Sequence, residues 1–260
     1  MSYLKRYVKG FYMSLGMFWG IPLPFYIWEE KYTAIMMASF PLVGLLIGSI
    51  WWLVAVLLLA LSLPLILVAA FLTVTPFLVA GFIHLDGYMD TSDALLSRRP
   101  LADRLKILVD SRVGAFAVIM LGILFLLQFA AMYTVVEGGE YLVLVVVISI
   151  LSRCCSAFSL FTLRAIPECI YTPQLKQNVG KSHIVFVVLV AIITVAFSVW
   201  YAGVLGVIVS AGVLMGYGIA IARTYWGFKG IAGDLLGYSL VISELCGLMI
   251  FAVSQGRMFG

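Results

Sequence analysis

Between Lys31 and Asp86 the chain carries no aspartate, glutamate, lysine or arginine. A stretch that long and that apolar has to satisfy its own backbone groups in a lipid solvent. It therefore reads as helices of about 20 residues, each long enough to cross a bilayer. The same character returns along the sequence. About seven apolar runs of this kind lie near residues 34–60, 63–83, 113–136, 141–164, 184–200, 204–223 and 234–253. Hydrophobic residues make up 64% of the chain, charged ones 11%, and the mean hydropathy is +1.15, too little polar surface to cover a soluble globule. These features predict an all-α, polytopic integral membrane bundle forming a single domain over residues 1–260.

The first 33 residues need separate treatment. Gly10 to Trp28 is apolar but contains Pro22 and Pro24, which remove helix hydrogen bonds, so it is expected to be an interfacial or re-entrant segment rather than a crossing. Charge supports that choice. With this segment held on one side, Lys5, Arg6, Lys9, Lys31, Arg98, Arg99, Arg104, Lys106, Arg112, Arg164, Lys176, Lys181, Arg223 and Lys229 share that side, against Arg257 alone on the other. By the positive-inside rule the crowded side is cytoplasmic, and Glu137 and Glu140 face out. No cleavable signal peptide, low-complexity tract or internal repeat is evident. Cys154, Cys155, Cys169 and Cys246 show no metal-binding spacing, and a structural disulfide is not expected.

After so long an uncharged run, Asp86, Asp90 and Asp93 follow within one helical stripe, at i, i+4 and i+7. Like charges so placed repel and raise one another's pKa unless a cation sits among them, and a divalent ion with oxygen ligands is the simplest candidate. The outer pair would be about 10 Å apart along a helix rising 1.5 Å per residue. One Mg²⁺ cannot span that, so either two ions bind or other helices complete the shell, and Asp110 and Asp234 stand at span ends where they could do so. A solvated, salt-bridged face is the plainer alternative.

His84 precedes the acids and is a candidate catalytic or interfacial residue. Arg98, Arg99, Arg104, Lys106 and Arg112 follow them. Arginine grips phosphate through paired hydrogen bonds, so Arg98, Arg99 and Arg112, the last beside Ser111 and Gly114, are the candidate phosphate contacts in an acidic and basic segment over 84–112. The same charges also suit topology and anionic lipid headgroups. Arg153 and Glu244 fall about halfway through predicted spans. Their cost there requires a partner, and they are expected either to pair with each other or to reach the site.

The segment "GFIHLDGYMDTSDALLSRR", Gly81 to Arg99, followed by "LVDSRVGAFAV", resembles the signature of the cobalamin synthase family, the adenosylcobinamide-GDP ribazoletransferases. "FPLVGLLIG" at Phe40 to Gly48, "LSR" at Leu151 to Arg153, and Gly-x-x-Gly-Asp at Gly230 to Asp234 with Glu244 beyond it resemble further family blocks in the same order. The wording differs at Trp19 and Gly20, at Ala94, at Lys229 to Ala232 and in the loop from Pro167 to Lys181.

The resemblance implies a Mg²⁺-dependent phosphotransferase. A ribose hydroxyl of α-ribazole, or of its 5′-phosphate, would attack adenosylcobinamide-GDP and release GMP, with Asp86, Asp90 and Asp93 as metal ligands and one acid as base. It also implies a multi-pass cell-membrane enzyme with its site facing the cytoplasm and no nucleic-acid partner; a homo-oligomer is compatible with the sequence. A CDP-alcohol phosphotransferase-like enzyme and a cation- or proton-coupled transporter are the alternatives. Against the transporter, the acids sit at span ends on one side and no repeated halves are visible.

Overall fold

The computed structural model describes residues 3–167 and 171–258. Cys169, assigned above to a cytoplasmic loop, lies outside the described residues. All named elements are helical, and the strand-like pairing present is an isolated bridge between Ala165 and Ile231.

The chain begins with α1 (Tyr3–Phe18). Beyond it the proline-containing segment runs without helix and folds back, where the Tyr12 hydroxyl donates to the Phe25 carbonyl at 2.7 Å and accepts from the Phe25 N–H at 3.1 Å. α1 has 16 residues and is not among the helices long enough to cross a membrane. A short turn then leads into α2 (Thr33–Ala38) and α3 (Phe40–Ala60). The run near 34–60 is thus broken at Ser39, because Pro41 in the first turn of α3 has no N–H to continue the helix before it.

α4 (Leu65–Val79) and α5 (Ile83–Leu96) are joined by a sharp turn in which Gly81 and Phe82 take positive φ, and their axes are bent by 94°. α6 (Leu101–Leu108) follows, and then come α7 (Ala115–Gly138), α8 (Leu144–Thr162), the short α9 (Tyr171–Leu175), α10 (Lys181–Phe228) and α11 (Gly233–Met258). α4 packs alongside α3 and α7, and α5 runs back along α7 and the first turns of α11, with Tyr88 at Met120 and Asp93 at Gly114.

α10 counts 48 residues but leaves helical angles at Gly203, with φ 55° and ψ −128°. There the chain doubles back. Ser198 Oγ and Ser210 Oγ are 2.8 Å apart at a separation of 12 residues, where a straight helix would hold them about 18 Å apart. A side chain at Gly206 would collide with the Ser198 carbonyl oxygen, so the two legs touch at backbone level.

By length and composition five of these helices can cross a membrane, or up to six if the bent α4–α5 pair is one span. The expected seven is therefore not returned by helix lengths, and it is reached only if both legs of α10 cross as well.

Two of the helices form the centre. The apolar windows of α8 and α11 are 83% and 67% buried, against 33% for α3, 28% for α7 and 17% for α10. The outer helices present Leu53, Phe71, Leu126, Ile193 and Ile219 outward, each more than half exposed, a belt that water would penalise and lipid accepts. α3 meets α8 closely because Gly44 and Gly48 present no side chain; a Cβ on Gly48 would stand 2.7 Å from the Val146 Cα.

The ends sort cleanly. Gln255 bonds the Glu140 carbonyl at 2.8 Å and Tyr141 packs on Tyr201 at 5.8 Å, which defines one end. At the other, Ile166 and Ile231 pair their backbones at 2.9 Å, Gly20 bonds Val79 at 2.7 Å, and α5 lies against the start of α11.

Candidate active site

α5 is helical with two unlike faces. His84, Leu85, Gly87, Tyr88, Thr91, Ser92 and Ala94 are buried, at helical spacing, against α7 and α11. The opposite face carries Asp86, Asp90 and Asp93. Tyr88 fixes the rotation of the helix: its ring stacks on Tyr238 at 5.5 Å and its hydroxyl donates to the Met120 carbonyl at 3.1 Å.

Gly87, next to Asp86 in sequence but on the buried face, is where α5 meets α11. A Cβ there would stand 2.8 Å from the Cα of Asp234, so the helices approach as backbones and Asp234 is drawn up to the stripe. Gly114 does a matching task at the start of α7: a side chain there would collide with both carboxylate oxygens of Asp93. Asp93 consequently lies over the amino end of α7, where the helix dipole favours a negative charge. Sequence reasoning used Gly114 only as a neighbour of Arg112 and passed over Gly87. The available signal was a glycine held inside a helix between spaced acids, where it costs stability unless something must come close.

Asp86, Asp90, Asp93 and Asp234 thus form one electrostatic group. The charges of Asp86, Asp234 and Asp93 all act on the partly buried Asp90 carboxyl. Among the described residues no ion pair joins any of these acids to a lysine or arginine. Neither do three His, Cys, Asp or Glu side chains converge on one point as metal ligands. The donor chemistry nevertheless fits a hard divalent cation: carboxylate oxygens with no basic partner among the described residues.

Asp110 is placed differently. Arg112 donates to it from Nε at 3.0 and 3.2 Å, from Nη2 at 2.7 Å and from its backbone N–H at 3.1 Å. These bonds hold the Asp110 carboxyl down to about 2, and Asp110 is not among the charges acting on Asp90. Arg112 is itself 87% exposed at its side chain and Ser111 is exposed. Arg98, at positive φ past the end of α5, and Arg99 are also exposed and form no ion pair among the described residues. Arg104 instead lies over the Phe228 ring at 5.5 Å.

His84 is 7% exposed, packed against the adjoining rings of Phe18 at 5.7 Å and Phe40 at 5.5 Å, and its Nε2 has no hydrogen-bond partner among the described residues. Arg153 and Glu244 pair with each other through Nη1 and Oε1, on the two central helices. Ser152 donates to Glu244 at 3.1 Å, and Arg153 Nη1 reaches the Ser149 carbonyl, the Ser149 hydroxyl and the Ser152 hydroxyl, each at 3.0 Å.

No solved structure matches this chain. Sequence comparison is informative. An adenosylcobinamide-GDP ribazoletransferase of Clostridium perfringens (strain ATCC 13124) is 35% identical over 96% of this chain and 100% of its own length. One from Clostridium botulinum (strain Alaska E43) is 33% identical over 94% of this chain and 97% of its own. Another, from Lachnoclostridium phytofermentans, is 29% identical over 96% of both. The profile of the Cobalamin-5-phosphate synthase family matches residues 10–252, a span that holds the acidic helix, the start of α11 and the central ion pair, and the chain belongs to that family.

Proposed function

We propose that this chain is a membrane-embedded transferase that joins adenosylcobinamide-GDP to α-ribazole or its 5′-phosphate, the reaction named for its relatives. The observation that carries this reading is the uncompensated acid group at the crossing of α5 and α11. A structural salt-bridge face would neutralise such a group, whereas a phosphotransfer site leaves it open for a cation and its phosphate.

Asp86, Asp90, Asp93 and Asp234 would hold Mg²⁺, which supplies charge neutralisation for a pyrophosphate and its departing half. The exposed Arg98 and Arg99, just past the end of α5, suit the phosphate oxygens, and Arg112 can reach them by exchanging its surface pair with Asp110. In the reaction, the ribose hydroxyl oxygen forms a bond to the phosphorus attached to cobinamide. The phosphoanhydride bond to GMP breaks, GMP keeps the bridging oxygen, and the hydroxyl proton passes to a carboxylate of the group.

The acid-bearing end also gathers the fourteen basic residues named above, so it faces the cytoplasm, where nucleotide substrates are made. A cysteine at Ser97 should be shielded from an impermeant thiol reagent in intact cells and one at Gly138 should react; the reverse labelling would invert the bundle.

The activity itself is tested with purified protein in lipid nanodiscs. GMP should appear only when adenosylcobinamide-GDP, α-ribazole and Mg²⁺ are all present. Absence of GMP in that mixture, from protein that remains folded, would end the reading.

A further inference from the structure

Beside the acid group the fold forms a partly open cavity of about 400 Å³ between α1, α2, the start of α3, α5, α8, α9 and α11. Its walls include Phe18, Phe40, Leu160 and Leu236, and its polar contributions include His84 and Asp234. The size falls within the range of about 300–1,000 Å³ usual for small-molecule sites, which are mostly apolar with a few placed polar groups.

His84 is the feature that packing alone does not account for. An imidazole buried without a hydrogen-bond partner costs about 1–3 kcal/mol, and here it is held in place by aromatic neighbours on the cavity wall. A ligand that brings a partner for the imidazole and a flat face for the aromatic rings would remove that cost.

Charge decides which substrate this is. Among the described residues no lysine or arginine lines the cavity, so a pyrophosphate placed inside would be desolvated without a counter-charge. An uncharged aromatic base meets no such penalty.

Resting on the reaction proposed above, we propose that this cavity is the acceptor subsite. It takes the benzimidazole of α-ribazole between its apolar walls, with His84 as the polar contact and the ribose turned toward Asp234. The attacking hydroxyl is thereby delivered to the edge of the acid group, while the corrinoid and its pyrophosphate approach from outside the cavity. His84 is in this account a positioning and specificity residue.

Binding can be measured without turnover. Equilibrium dialysis of labelled α-ribazole against the purified protein in nanodiscs should give saturable binding in the absence of adenosylcobinamide-GDP. His84→Ala should weaken it about three- to tenfold, the range expected for one lost hydrogen bond, and His84→Asn should recover part of the loss. Leu160→Trp, which fills the cavity, should weaken it by more than tenfold. Because that variant carries a folding risk, free 5,6-dimethylbenzimidazole serves as a probe on the unaltered protein: it should compete with α-ribazole in dialysis and leave the KM for adenosylcobinamide-GDP unchanged.

Wild-type affinity in His84→Ala, or a benzimidazole that competes with adenosylcobinamide-GDP instead, would overturn the assignment. So would benzimidazole that fails to displace α-ribazole, which would leave a lipid chain as the occupant. His84-dependent binding without any GMP release would leave the subsite standing and sink the reaction, whereas GMP release with His84-independent binding would do the opposite.

Discussion

Glu244 and the aspartates of α5 are acids in the same lipid-embedded chain, and the fold treats them in opposite ways. Glu244 is buried on a central helix, and the fold brings it Arg153 together with a hydroxyl from Ser152. Asp86, Asp90, Asp93 and Asp234 sit at a bundle end crowded with arginine and lysine, yet none of them takes a basic partner among the described residues. The shortage is therefore not of cations but of permitted contacts. α5 is turned so that Tyr88 and Gly87 face the bundle and the acids face out, while Arg104 lies over an aromatic ring and Arg112 is taken up by Asp110. Charge that the fold pairs internally has a structural partner, and charge that it leaves unpaired is what the proposed reaction assigns to a ligand.

That contrast breaks first at the acids. Asp90→Asn, which keeps shape and loses charge, should lower turnover by about a hundredfold or more with thermal stability unchanged or raised, because one member of a repelling group is removed. Asp86→Asn and Asp93→Asn should behave alike. GMP release set beside a melting curve checks both halves, and wild-type turnover in Asp90→Asn would dissolve the distinction.

The central pair should respond in the reverse sense. Glu244→Gln leaves Arg153 buried and unpaired, so it should destabilise by about 3–5 kcal/mol, and turnover per folded molecule should fall far less than in the aspartate variants. Replacing both partners, Arg153→Met with Glu244→Leu, should recover much of the stability. A Glu244→Gln protein that melts like the wild type but is inactive would move Glu244 into the site.

A smaller effect falls between the two regions. Gly87→Ala forces α5 off α11 against backbone atoms of Asp234, an overpacking of about 1–3 kcal/mol. It should lower turnover by separating Asp234 from the α5 acids while leaving every carboxylate in place. Asp103→Asn is the control. It breaks an exposed pair with Lys106 at 3.3 Å, worth about 0–1 kcal/mol, and should leave activity and melting within error.

Much of this was legible in the sequence because lipid leaves a chain few options. Apolar run length gave the helices, the i, i+4, i+7 spacing placed Asp86, Asp90 and Asp93 on one face, and the cost of Arg153 and Glu244 inside spans announced a partner for each. What could not be read came from contacts distant in sequence. The break in α10 at Gly203 falls in the gap between the runs expected near 184–200 and 204–223, but the close backbone contact of its two legs at Gly206 is not encoded in an apolar run. The 94° bend that separates α5 from α4 has no counterpart in the residue spacing. Asp110 looked equivalent to Asp234 as an acid at a span end, and only the geometry of the Arg112 side chain separates the two. The α5–α11 crossing at Gly87 and the cavity beside His84 likewise exist only once the two helices meet.

The account stands or falls on whether the uncompensated acids hold a cation. Purified protein in nanodiscs, titrated with Mn²⁺ in place of Mg²⁺ and followed by the loss of the free-ion electron paramagnetic resonance signal, reads this without any turnover. Wild type and Asp103→Asn should bind the ion saturably and release it to excess Mg²⁺, folded Glu244→Gln should do the same, and Asp90→Asn should lose most of the binding. Equal Mn²⁺ affinity in Asp90→Asn and wild type, or no saturable binding in either, would contradict the claim.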